Sequence, residues 1–159
     1  MNGHLPASLP PATDGRMVEW PARSRALTAL TFVFGGAFFV WISYEDTTLI
    51  PVTLLGAALP LIFLAHFLTR RFGGAPLPAR KGMLLLGAGG LLVGCLTPLT
   101  IAVLMGLKVS LHSHVNPDYP PEAVLGVMAR TPVWALGGLL LGTALALIAY
   151  ARRTPTHET

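Results

Sequence analysis

Four long apolar stretches, residues 26–44, 49–69, 82–107 and 132–151, run free of Asp, Glu, Lys and Arg, and polar or proline-containing segments separate them. At ~1.5 Å of rise per helical residue even the shortest reaches about 29 Å, which matches a hydrocarbon core of ~30 Å. None shows the in–out alternation of an outer-membrane strand, and backbone facing lipid must satisfy its hydrogen bonds internally. The pattern predicts an all-α, polytopic membrane protein with four transmembrane helices in a compact bundle.

The connections carry their own signals. Tyr44 meets Glu45-Asp46-Thr47-Thr48 in a tight turn, and Pro51 falls in the first turn of the second helix, where a missing N–H costs little. Arg70-Arg71 closes that helix, and Phe72-Gly73-Gly74-Ala75-Pro76-Leu77-Pro78 breaks it into a loop before Arg80-Lys81. The third run is the longest, so it is expected to tilt or kink, and it ends near Lys108. Residues 108–131 form the one connection long enough for internal structure. Asn116-Pro117 and Pro120-Pro121 mark turns there, and Glu122 opens the apolar piece 123–129, too short to span and predicted to be an interfacial helix. Thr131-Pro132 reads as N-cap and N1 of the fourth helix, with Trp134 at head-group depth. Residues 1–25, with Pro6, Pro10, Pro11 and Pro21, are expected to be a flexible tail, and residues 152–159 a second one. The first apolar run is long enough to span and leads into Glu45-Asp46, unlike a cleaved signal peptide.

Composition strengthens the membrane assignment. Only 11% of the 159 residues are charged and mean hydropathy is +0.64, whereas about a quarter of a soluble domain is charged. The net charge of +4 is a matter of topology rather than of nucleic acid. Arg16, Arg23, Arg25, Arg70, Arg71, Arg80, Lys81, Arg152 and Arg153, nine of the eleven Lys/Arg, fall at one end of the expected bundle, while Lys108 and Arg130 fall at the other. The positive-inside rule puts that basic end, and both termini, in the cytoplasm of a plasma (inner) membrane. It would also attract anionic lipid head groups. Cys95 has no second cysteine to pair with, which excludes an intrachain disulfide and a CxxC redox pair.

Two patterns concern helix packing. Gly90 and Gly94 in the third run, and Gly138 and Gly142 in the fourth, are GxxxG pairs; they suit either a dimerisation face or packing of these two helices within one chain, and the second is favoured. Gly56 with Pro60, and Gly94 with Pro98, place a proline four residues after a glycine, which frees the glycine carbonyl and predicts a kink. Two such helices running in opposite directions superficially resemble the broken helices of inverted-repeat transporters.

Chemistry-bearing residues are few. His66 lies about one turn from the basic interface, where it suits a hydrogen bond to water, backbone or head group better than haem ligation. The richest polar cluster is His112, Ser113, His114, Asn116, Asp118, Tyr119 and Glu122. If the segment is extended, His112 and His114 point to one side and, with Asp118 or Glu122, form a ligand set for zinc, copper or iron. If the third helix continues through His114, the two rings splay by ~200° and the shared site fails. Phosphate loop, H-E-x-x-H, G-x-S-x-G and CxxC motifs are all missing. The leading expectation is a non-enzymatic accessory, assembly or stabilising subunit of a membrane complex, with other membrane subunits or a second copy as partner. An outward-facing metal-binding protein and a small oligomeric transporter are the alternatives.

Overall fold

A computed structural model describes residues 17–19, 24–44, 48–112 and 118–151. In chain order the elements are β1 (Met17–Glu19), α1 (Arg25–Ser43), α2 (Leu49–Phe72), β2 (Pro76–Pro78), α3 (Ala79–His112), α4 (Pro121–Ala129) and α5 (Thr131–Ala151). The architecture is an all-α bundle, and α1, α2, α3 and α5 are each long and apolar enough to cross a bilayer. Ser24 opens α1 by accepting a hydrogen bond from the Leu27 N–H at 3.1 Å. The chain leaves α2 through Gly73 and through Gly74, whose φ of 75° suits a residue without Cβ.

Helix α3 is the hub. It packs most extensively on α5 and next on α2, while α1 leans chiefly on α2. Where α3 meets α5 the surfaces are nearly bare backbone. A Cβ on Gly90 would strike the Gly138 carbonyl, one on Gly138 the Gly90 carbonyl, one on Gly94 the Trp134 carbonyl and one on Gly142 the Leu86 carbonyl. Both GxxxG pairs thus face each other inside one chain, where small residues replace the hydrophobic drive that lipid does not supply. Helices α2 and α3 touch at Gly56, buried against Ile101, and at Gly89, against Leu64. Both are continuous through Pro60 and Pro98. The Thr97 and Thr100 hydroxyls donate to the Val93 and Leu96 carbonyls, at 2.8 Å each, rather than to the carbonyl that Pro98 frees at Gly94.

The structure corrects several expected boundaries. Helix α3 starts at Ala79 and runs on to His112, so Lys108 belongs to a helix and not to the connection. Its 34 residues span about 51 Å, more than a hydrocarbon core needs. The reason is that Val109 and Leu111 keep the segment apolar and the Lys108 stem is itself four methylenes long. Thr131 does not cap α5 as an acceptor. Its hydroxyl donates to the Met128 carbonyl at 2.6 Å, and the Arg130 carbonyl receives the first α5 amides, from Val133 and Trp134. The interfacial piece does form a helix, α4, starting at Pro121 with Glu122 in its first turn.

Part of the expected N-terminal tail is structured. Met17–Glu19 pairs antiparallel with Pro76–Pro78, with Val18 opposite Leu77. Prolines on both sides leave Leu77 as the only N–H donor of β2, which is why this sheet stays at two short strands. The pairing ties the chain ahead of α1 to the α2–α3 connection.

Candidate functional site

The most distinctive polar arrangement lies at the end of α3 remote from the β1–β2 clasp. Ile101, Leu104, Met105 and Lys108 follow one another at spacings of three, one and three, so they share one face of the helix, and His112 continues it by a turn. That face turns inward. Met105 and Lys108 are both 0% exposed. Trp41 from the end of α1, Val52 and Leu55 from the first turns of α2, and Tyr119 complete a buried cluster, against which Val124 and Val127 of α4 pack.

The Lys108 ammonium is held by aromatic faces. Nζ stands 5.0 Å from the Trp41 ring centroid and 5.9 Å from that of Tyr119. Each ring presents its negative quadrupole to the cation, an attraction of about 0.5–2 kcal/mol where water is excluded. Tyr119 is fixed in turn, because its hydroxyl donates to the Thr48 carbonyl at the start of α2 at 3.2 Å. One cation therefore sits where α1, α2, α3 and the segment leading into α4 converge.

One turn further on, His112 Nδ1 lies 3.0 Å from the Lys108 carbonyl and 3.6 Å from Asp118 Oδ2. A carbonyl only accepts, so Nδ1 carries the proton and donates. The side chains of His112 and Asp118 are 18% and 13% exposed, so the pair stands at the rim of the cluster. Asp118 Oδ2 and Trp41 Nε1 are buried without a hydrogen-bond partner among the described residues, one an acceptor and the other a donor. Lys108 is enclosed, so its amine faces the cluster and not the surface.

The sequence-predicted residues divide. His112 and Asp118 come together; Glu122 is exposed on the first turn of α4; His114 lies outside the described residues. His112 is the last residue of α3 rather than part of an extended strand. Among the described residues no three of His, Cys, Asp and Glu form a group able to hold a metal ion. His66, at the other end of the bundle, bonds to α1: the Thr31 hydroxyl donates to the Leu27 carbonyl at 2.9 Å and so accepts from His66 Nε2, also at 2.9 Å. Lys108 and Trp41 were not singled out from the sequence. The signal was the stripe Ile101, Leu104, Met105, Lys108, in which the lysine takes a core position. No protein-family model, curated protein or solved structure matches the chain.

Proposed function

We propose that this chain is a non-enzymatic accessory subunit that assembles with, and stabilises, a larger protein complex in a bacterial-type plasma membrane, with both termini in the cytoplasm. The observation that carries this reading is the openness of α1. Only 6% of its apolar span is buried within the chain, and Phe32, Val33, Phe39 and Val40 are each at least 68% exposed. Its contacts with α2 and the cluster come through Thr31, near one end, through Trp41, near the other, and through the partly buried Phe34, Phe38 and Ile42. Between them Gly35 and Gly36 meet nothing within 4 Å of where a Cβ would stand. Adjacent glycines in an open apolar face let another transmembrane helix approach closely. The two GxxxG pairs are already used between α3 and α5.

Lipid covers an apolar face equally well, so the decisive readout is whether a partner depends on those glycines. Native mass spectrometry of the particle purified in mild detergent should show a second polypeptide in fixed ratio. Gly35→Leu/Gly36→Leu has room to fold and should release it, and deleting the gene should lower the partner's abundance. A partner that stays intact and abundant in the deletion strain sinks the proposal.

A second reading, an outward-facing metal-binding protein, is favoured by the separation of His112 Nδ1 and Asp118 Oδ2, 3.6 Å. Two ligands each ~2.1 Å from one tetrahedral ion stand roughly 3.4 Å apart. A metal there would replace the Nδ1 proton, and His114 would be the third ligand. It predicts a stoichiometric transition metal in the purified protein that His112→Ala/His114→Ala abolishes; metal content unchanged by the double variant excludes the site.

A further inference from the structure

A cavity of about 540 Å³ opens at the opposite end of the bundle, lined by Thr31 of α1 and by Phe63, His66, Phe67, Arg70 and Arg71 of α2. Its walls are graded. Phe63 and Phe67 are one α-helical turn apart, are largely exposed and form the apolar side, farther into the span than Arg70 and Arg71, which lie in the last turn of α2, at the membrane edge. His66 is pinned between them by its bond to Thr31, so the polar wall is preorganised. The Arg71 guanidinium stands 5.4 Å over the Phe72 ring, a contact that restrains one of the two cations. None of the lining residues is acidic.

We propose that this cavity is a specific site for one anionic phospholipid of the surrounding bilayer. The phosphate lies between the Arg70 and Arg71 guanidiniums, which offer planar donor arrays to its oxygens, and an acyl chain runs along Phe63 and Phe67 toward the bilayer interior. Basic pockets between transmembrane helices suit such head groups, because cation and apolar wall are matched to the two halves of one molecule. A soluble anion would use only the arginines. The inference holds whether or not a protein partner occupies α1.

The test uses the full chain, stripped of lipid in detergent and titrated with phosphatidylglycerol or phosphatidylcholine, with bound lipid counted by intact-protein mass spectrometry. One phosphatidylglycerol per chain is expected at concentrations where phosphatidylcholine does not bind. Arg70→Gln/Arg71→Gln should weaken it roughly 30-fold, as expected for two well-placed cations. Arg80→Gln/Lys81→Gln removes as much charge from the same end without touching the cavity, and should change affinity less than twofold. Equal binding of both lipids, or equal losses in the two double variants, would reduce the effect to general surface charge and overturn the site. Displacement of the lipid by millimolar inorganic phosphate would reassign it to a soluble anion and overturn the lipid assignment.

Discussion

Gly90→Ala should destabilise this protein, whereas Gly35→Ala, the same change in another apolar helix, should leave it unchanged or slightly more stable. Alanine exceeds glycine in helix propensity by about 1 kcal/mol, so in open space the substitution is harmless or favourable. Gly35 has such space. At Gly90 the new methyl would run into the Gly138 carbonyl and lie 3.1 Å from the Gly142 Cα. Those atoms are backbone and cannot rotate away, so α3 and α5 must separate. Overpacking of this kind costs about 1–3 kcal/mol, and separation also forfeits the van der Waals contact that holds helices together in lipid. Gly90→Val/Gly138→Val should lose the α3–α5 pairing altogether. Its cost should fall below the sum of the single changes, because either one already opens the seam. Unfolding in denaturant, followed by the fluorescence of Trp134 beside Gly94, measures all three. Equal stability of Gly90→Ala and Gly35→Ala would mean that α3 and α5 do not meet at this seam.

The spans were legible because a run of about twenty apolar residues has few other uses, and the interfacial helix because Pro121 and Glu122 are starting signals. The roles of the glycines were legible only as alternatives. Gly90xxxGly94 looks the same whether its partner is α5 of this chain or a second copy, and only the placement of Gly138 and Gly142 against it decides. The β1–β2 pairing left no trace in the sequence, since three residues carry no period and two of the three in β2 are prolines. Lys108 is ambiguous in the sequence for a different reason. A lysine after a long apolar run marks the end of a span by charge, yet Lys108 also takes the next position in the buried stripe, and here the stripe prevailed. His112 and Asp118 were grouped correctly as neighbours, while the aromatic cage was missed because Trp41 lies 67 residues away in sequence.

Substitutions at Lys108 should rank by what they remove from that cage. The side chain is 0% exposed, so its methylenes fill volume between Trp41, Tyr119 and Met105 while its ammonium meets the rings. Lys108→Met keeps most of the volume and loses the cation, and should cost about 1–2 kcal/mol, the scale of desolvated cation–π contacts. Lys108→Ala also leaves a cavity, and should cost about 2–5 kcal/mol. Lys108→Glu sets a carboxylate against the negative faces of two rings, in a cluster whose rim already holds Asp118. A buried charge that its surroundings repel has no compensation, so this variant should not accumulate as folded protein. Folded yield and thermal unfolding in detergent give the order. Lys108→Met as damaging as Lys108→Ala would show that the charge, not the volume, draws Trp41 and Tyr119 together. Tolerance of Lys108→Glu would mean that Lys108 leaves the cluster in the membrane, and that α3 ends nearer the position its charge alone suggests.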